Sequence, residues 1–112
     1  MATTANLFVD SGSDYSNIIT IASSTGSPLN LTSYTVKSQM RKSYGSSTAY
    51  DFTASVYDAA TGKIRLQITA ANTSLIPAGR YLYDIEITNT STDAKTRVLE
   101  GIVIVTPEIT KT

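Results

Sequence analysis

The chain has 112 residues, with nine Lys and Arg against nine Asp and Glu, so its formal net charge is zero. It contains neither Cys nor His, which excludes disulfides, Cys/His zinc sites, thiol catalysis and any imidazole base within these residues. A neutral chain with 16% charged residues also lacks the basic field of a general nucleic-acid binder. The length predicts one domain that buries a core without covalent cross-links.

The N-terminal part of the chain alternates short apolar runs with turn residues. Residues 1–6 have neither the basic start nor the apolar stretch of a secretory signal, so no such signal is predicted. They are expected to form a short flexible arm. A strand at 7–9 is followed by a turn at 10–14 and by a second strand at 15–22. The turn spaces Asp and Ser as a calcium loop does, but the downstream Glu of such loops is absent, so we expect a tight turn without metal.

The middle of the chain shows clean alternation, with a period of two residues. Four side chains are expected to face the interior: Tyr34, Val36, Ser38 and Met40. Another strand is predicted at 52–56, and the returning strand at 64–69. The short connection between them, 58–63, is typical of a hairpin in which Gly62 takes a positive φ.

The last third is predicted to hold one helical turn at 70–76 and two strands, at 81–88 and 96–105. Seven strands without an amphipathic helix predict an all-β protein. We interpret the chain as a single Ig-like β-sandwich of about seven antiparallel strands over residues 7–106, followed by a C-terminal tail at 107–112. A small closed barrel is the alternative.

Gly79 and Tyr81 are predicted to form a structural corner at the start of the sixth strand. Sandwich domains of this type place a Tyr there, and its hydroxyl bonds back to the backbone of the corner. Tyr83 follows two residues later, on the same inward face. This detail favours Ig-like connectivity over the barrel.

Three carboxylates, Asp84, Glu86 and Glu100, are the main candidates for chemistry. Paired carboxylates act as acid and base in glycoside hydrolysis. We expect a solvated strand face instead, because the sequence places nothing beside them that would raise one pKa. The chain also has no phosphate-binding Gly-rich loop and no nucleophile elbow. We therefore predict a protein that is not an enzyme and has no cofactor, metal or catalytic residue.

Tyr44, Tyr50 and Tyr57 fall outside the expected core and are candidate partner contacts. Gly101 is a fourth candidate, because a Gly inside a strand indicates a bulge or the close approach of another backbone, either the chain's own or a partner's. The tyrosines lie among basic residues in the region 37–57. This grouping motivates an alternative function, that of a carbohydrate- or receptor-binding Ig-like module.

Two stretches near the C-terminus carry a resemblance to a known family: G-R-Y-L-Y-D-I at 79–85 and L-E-G-I-V-I-V-T-P-E-I-T at 99–110. They are accompanied by F-T at 52–53 and G-K-I-R-L at 62–66. With these residues the chain resembles the Ig-like β-sandwich domain of tailed-bacteriophage structural proteins, similar to the N-terminal domain of baseplate upper proteins. The resemblance spans residues 7–110.

The resemblance implies a virion structural protein, either a tail or baseplate adaptor or a capsid decoration or cement protein. Its expected partners are other virion proteins, met in many symmetry-related copies, and self-association is compatible with this role. Neither nucleic acid nor a membrane is expected as a partner. The expected location is the virion, after synthesis in the host cytoplasm without a signal peptide. Baseplate members continue into stalk or fibre regions, whereas this sequence ends at Thr112, so we expect a single decorating or adapting domain.

Overall fold

The computed structural model describes residues 3–22 and 26–107. It confirms the all-β class, with a single helical turn in these ranges. The elements in chain order are β1 (Thr3–Thr4), β2 (Leu7–Asp10), β3 (Tyr15–Thr20), β4 (Tyr34–Arg41), β5 (Tyr50–Asp58), β6 (Lys63–Ile68), α1 (Ala70–Thr73), β7 (Gly79–Asn89) and β8 (Lys95–Thr106).

The strands form one mixed sheet in the order β1-β8-β7-β4-β5-β6-β3, with β2 also paired to β8. The sheet is curled nearly into a barrel, although no ladder joins β2 to β3 in the described ranges. Both β1 and β2 run parallel to β8, whereas the other neighbouring strands are antiparallel. The prediction of purely antiparallel strands is therefore wrong at the N-terminus. The chain enters along β8 in the same direction and then turns to β3 at the other end of the sheet.

The described part of the predicted arm is paired with the sheet. Thr3–Thr4 forms a short parallel ladder with β8, and the N–H of Ala5 donates to the carbonyl oxygen of Glu100 at 2.9 Å. Within the region predicted as a flexible arm, the outer edge of β8 thus offers backbone partners to the entering chain. Residues 1–2 of the arm and 108–112 of the tail lie outside the described residues.

Strand β5 changes partner along its length. Its first residues pair with β4, ending at Phe52 opposite Ser38, and from Thr53 onward it pairs with β6. The register with β6 shifts between Val56 and Asp58, where the strand is bulged. One strand thus joins the β8-β7-β4 part of the sheet to the β6-β3 part.

The connection between β5 and β6 has the predicted hairpin geometry. Gly62 adopts a φ of 70°, which is unfavourable for residues with a side chain. A Cβ at this position would also lie 2.6 Å from the carbonyl oxygen of Leu29 and 2.7 Å from that of Ile21. Both the turn and the neighbouring backbone therefore require Gly here.

The core lies inside the curl of the sheet, where alternate residues of each strand are buried. An aromatic row crosses it, with ring centroids 6.0 Å apart for Tyr15 and Phe52 and 6.1 Å apart for Phe52 and Tyr83. Such tilted and edge-on pairs stabilise beyond the burial of their area. The most completely buried side chains include Leu31, Met40, Ile64, Leu66, Ile85, Val9, Val103 and Val105.

The turn α1 is anchored to the turn between β2 and β3. The buried hydroxyl of Thr73 donates to the carbonyl oxygen of Ser13 at 2.9 Å and accepts from the N–H of Gly12 at 3.1 Å. The N–H of Ala70 donates to Oδ1 of Asp14 at 2.7 Å. Within the described ranges, no helix has the length and apolar character needed to cross a membrane.

Candidate functional site

The outward face of β4, β7 and β8 carries an open groove of about 610 Å³. Alternation along β7 positions it, because Tyr81, Tyr83 and Ile85 point into the core while the residues between them point outward. The outward residues of three neighbouring strands meet there. The groove is lined mainly by Gln39, Arg41, Leu82, Asp84, Glu86, Arg97, Glu100 and Ile102, with Tyr44 from the loop after β4.

The centre of the groove holds an ion-pair network around Arg97. Its Nε lies 3.3 Å from Oδ2 of Asp84, and its Nη1 lies 3.6 Å from Oε1 of Glu100. All three side chains are partly exposed, so solvent screens the network and its contribution to stability is small. One arginine nevertheless holds two of the predicted candidate carboxylates in place.

A bulge in β8 creates this arrangement. Glu100 lies opposite Asp84, and Arg97 lies opposite Glu86, so Val98 is the extra residue between the two registers. In a regular strand, residues 97 and 100 would point to opposite faces; the extra residue turns both to the groove. Arg97 is not among the predicted site residues, because no residue pattern in this stretch indicates the bulge.

The pKa of Asp84 is raised above its usual range, first by burial and then by the charges of Glu86 and Glu100. Arg97 and Arg41 oppose this shift. The expectation that nothing near these carboxylates would raise a pKa is therefore wrong. The cause is that the sheet places Asp84 at the partly buried centre of the groove, which alternation alone does not reveal.

The loop that closes one end of the groove is held by Arg41. Its guanidinium donates from Nη1 to the carbonyl oxygen of Ser46 at 2.6 Å and from Nη2 to Oε1 of Gln39 at 3.3 Å. These bonds tie residues 42–49 to β4. They leave the Tyr44 side chain 81% exposed beside the groove.

The three candidate contact tyrosines do not form one surface. Tyr44 lines the groove, whereas Tyr50 is half-buried and packs edge-on against Tyr81 with ring centroids 5.9 Å apart. Tyr57 is 52% exposed and lies beneath the guanidinium of Arg65, 4.7 Å from the ring centroid. Only Tyr44 thus combines high exposure with a place in the groove.

Gly101 is among the residues that line the groove, and the chain's own N-terminal segment passes close to it at Ala5. A Cβ at Gly101 would collide with the carbonyl oxygen of Ala5. That oxygen accepts a hydrogen bond from the hydroxyl of Tyr83 at 2.7 Å. The close backbone approach that a Gly indicated is made within the fold by Ala5. The bulge of this strand lies elsewhere, at Val98.

The corner residues lie at the start of β7. The hydroxyl of Tyr81 donates to the carbonyl oxygen of Pro77 at 2.5 Å, and Gly79 adopts a φ of 146°. The Nζ of Lys42 lies 4.6 Å from the centroid of the Tyr81 ring, a cation–π distance. The pKa of Tyr81 is raised by its burial and, to a lesser degree, by Tyr50. This cluster packs the corner and lies apart from the ion pairs of the groove.

The acidic turn at 10–14 uses its carboxylates within the fold. Oδ1 of Asp14 accepts from the backbone of α1, and Oδ1 of Asp10 accepts from the hydroxyl of Thr106 at 2.8 Å. Among the residues that the structure describes, no group of three metal-ligating side chains is close enough to hold an ion.

No protein-family model matches this chain, and no curated protein matches it. Among solved structures, it is similar to InlP of Listeria monocytogenes, with a TM-score of 0.50 and 12% identity over 94% of this chain and 28% of that chain. A family 123 glycoside hydrolase from Clostridium perfringens aligns with a TM-score of 0.42 and 10% identity, over 96% of this chain and 23% of that one. The chain thus spans about a quarter of the length of either protein. The similarity to InlP concerns the fold alone, and the weaker similarity supports no inference about this chain.

Proposed function

We propose that this chain is an Ig-like β-sandwich domain that serves as a non-enzymatic structural component of a tailed-phage virion. In this role it is a tail or baseplate adaptor or a capsid decoration or cement protein. It acts through contacts with other virion proteins in many symmetry-related copies, and it uses no cofactor, nucleic acid or membrane. Its place of action is the virion.

The strand order supports the Ig-like interpretation. Strands β4, β7 and β8 are neighbours, as are β5, β6 and β3, which corresponds to the division of such sandwiches into two groups of strands. The partner change of β5 at Phe52 and Thr53 separates the two groups. The bond from Tyr81 to Pro77 has the donor and acceptor of a tyrosine corner.

The observation that carries the virion proposal is the place of the two stretches that resemble phage structural proteins. Residues 79–85 and the described part of 99–110 lie side by side in β7 and β8. Their inward residues build the core, and their outward residues build the groove. The resemblance therefore concerns the part of the sheet that carries the groove. A neutral chain whose groove holds Arg97 paired with Asp84 and Glu100 suits protein–protein contact.

The decisive experiment is mass spectrometry of purified particles from the phage or prophage that encodes this sequence. We expect peptides of this chain in a fixed ratio to the major capsid or tail-tube protein, and that ratio should survive density-gradient purification. Cryo-electron microscopy of the same particles would then place the domain. Absence of the chain from intact particles would rule out the proposal.

A second candidate function, carbohydrate binding, is favoured by the composition of the groove. Sugar-binding sites combine an aromatic face for stacking with planar polar groups that hydrogen-bond hydroxyls. Tyr44 offers the face, and Gln39, Asp84 and Glu100, which form a row across β4, β7 and β8, offer amide and carboxylate groups. Arg41 is already engaged by Ser46 and holds the loop rather than a ligand.

A glycan array with two matched variants distinguishes this function from the first. Tyr44→Ala removes the exposed ring in the groove, whereas Tyr57→Ala removes an exposed ring outside it. Carbohydrate binding predicts at least about a tenfold loss of affinity for the first variant, which corresponds to about 1.4 kcal/mol. The second variant should bind as the original protein does. No binding to any glycan, including host-cell polysaccharide, would exclude this function.

A further inference from the structure

Strand β3 is an unprotected edge of the sheet. It ends the strand order and, among the described residues, pairs only with β6. Its six residues, Y-S-N-I-I-T, include no charge, Pro or Gly. Natural edge strands are blunted by charged side chains, Pro, bulges or short length, since unpaired edges attract further strands. Strand β3 has none of these protections.

The register determines which backbone groups of β3 are free. The N–H of Ile21 donates to the carbonyl oxygen of Gly62 at 2.8 Å, directly after the ladder that pairs Ile19 with Ile64. In an antiparallel ladder, alternate residues bond to the same neighbour. The odd-numbered residues of β3 therefore bond to β6. Ser16, Ile18 and Thr20 direct their N–H and C=O groups away from the sheet.

The side chains of these three residues leave the edge accessible. Ser16, Ile18 and Thr20 are all exposed, and Ile18 is 43% exposed despite being apolar. Arg65 lies opposite Ile18 on β6, but its guanidinium stacks on Tyr57 of β5, on the far side of β6. The nearest cation across the ladder is thus drawn away from Ile18.

We propose that the β3 edge binds the β3 edge of a second copy of this chain by antiparallel strand addition, centred on Ile18. In this register Ile18 lies opposite its counterpart and Ser16 lies opposite Thr20, so the free residues meet in pairs that exchange about six backbone hydrogen bonds. The two exposed isoleucines form an apolar cross-strand pair at the centre.

A second copy fits this edge for electrostatic reasons. The segment has no charge, so self-pairing places no like charges opposite each other. The chain as a whole has zero formal net charge, and two copies therefore approach without net repulsion. The contact is short, so the dimer is weak in solution and becomes important when copies are held close together. The inference is independent of the virion proposal, because it concerns two identical chains alone.

Sedimentation equilibrium of the whole chain tests the proposal, over concentrations from about 10 μM to about 1 mM, the range of weak association. The mass should rise with concentration towards twice the 12.0 kDa of one chain. Ile18→Pro removes an outward N–H without breaking the ladder to β6, a position where edge strands tolerate Pro. It should weaken association by at least about tenfold.

Two further variants make the result specific. Ile18→Lys adds a like charge at the centre of the contact and should also leave a monomer, which covers the case that the Pro variant fails to fold. Phe8→Lys adds the same charge at a 69% exposed apolar position on β2 and should associate as the original chain does. A chain that stays monomeric throughout, or one in which Phe8→Lys alone prevents association, would overturn the proposal. So would a dimer that Ile18→Lys leaves intact.

Discussion

The two ends of the sheet differ in whether the outward backbone groups of their last long strand are paired. At the β8 end, the chain's own N-terminal segment adds two parallel strands of two and four residues, interrupted at Ala5 and Asn6. At the other end, β3 offers six uninterrupted residues. Short, broken edges are poor templates for a further strand, whereas long, uncharged ones are good templates. One end is thus covered by the chain's own N-terminal segment, whereas the outer side of β3 pairs with no strand in the described ranges.

The two ends also differ in whether specific side chains hold the edge strand in place. At the β8 end, two residues hold the N-terminal segment against the strand. Gly101 leaves room for the carbonyl oxygen of Ala5, and the hydroxyl of Tyr83 donates a hydrogen bond to that oxygen. The β3 end has no comparable feature, since its outward residues contact no other strand in the described ranges. Substitutions at the β8 end should therefore affect stability, and those at the β3 end should affect association only.

Gly101→Val should have the largest effect, because the new side chain would collide with the Ala5 carbonyl and displace the N-terminal segment. We expect a loss of about 3 kcal/mol in the free energy of unfolding, measured by urea denaturation. Gly45→Ala is the matched control, since a Cβ there meets no atom within 4 Å. A Gly101→Val variant as stable as this control would mean that the segment does not lie on β8.

Tyr83→Phe should cost about 1 kcal/mol, because it removes the donor that satisfies the Ala5 carbonyl oxygen. Tyr81→Phe removes a similar bond at the corner, to Pro77, and should cost about as much. Amide hydrogen exchange separates the two. Only the Tyr83 variant should accelerate exchange at Ala5, whose N–H bonds to Glu100. Equal acceleration in both variants would contradict a local role for Tyr83.

Alkaline pH should weaken the same end of the sheet. Burial, with a smaller contribution from Tyr15, raises the pKa of Tyr83 from 10.0 to about 12. The unfolded chain therefore releases this proton first, so the stabilisation is complete below pH 10 and is lost as the pH rises towards 12. Burial also raises the pKa of Tyr15 and Tyr81, which contribute in the same direction.

The measurement is the free energy of unfolding as a function of pH, from neutral to strongly alkaline solution. Tyr83→Phe should show a shallower decline above pH 10 than the original chain. Identical slopes for the two proteins would exclude Tyr83 as a source of the decline.

Ile18→Lys should have the smallest effect on a dilute, monomeric sample. The side chain is exposed and its outward backbone groups bond to no described residue, so we expect a change within about 0.5 kcal/mol in urea denaturation. A loss as large as that of Tyr83→Phe would mean that both ends of the sheet, and not the β8 end alone, stabilise the single chain.

The alternation of apolar and polar residues predicted much of this fold, because it indicates which side chains of a strand face the core. The inward set of β4, which includes Ser38 and Met40, and the turn at Gly62 were correct for this reason. Partner choice was not predictable in the same way. Neither Phe52 nor Thr53 signals by its residue type that the neighbouring strand changes there, and the polar pair Thr3–Thr4 gives no sign of pairing with β8.

The groove was partly predictable. Asp84 and Glu86 lie two residues apart on one strand, so their shared face follows from the strand period alone. The arginine that bridges Asp84 to Glu100 was missed, because its orientation depends on the extra residue Val98. Gly101 indicated a close backbone approach by its residue type, but the identity of the approaching residue depends on tertiary structure.

The partner change within β5 has a consequence for how the domain folds and unfolds. Its first residues complete one group of strands and its later residues complete the other, so neither group retains all its ladders if β5 detaches. If either group of strands unfolds and β5 detaches with it, the other group loses its pairing with β5. The domain should therefore unfold in one cooperative transition. Before the domain can fold, β5 must align with both β4 and β6. Pairings between residues that are distant in sequence slow the folding of β-rich chains, so this alignment should contribute to the folding barrier.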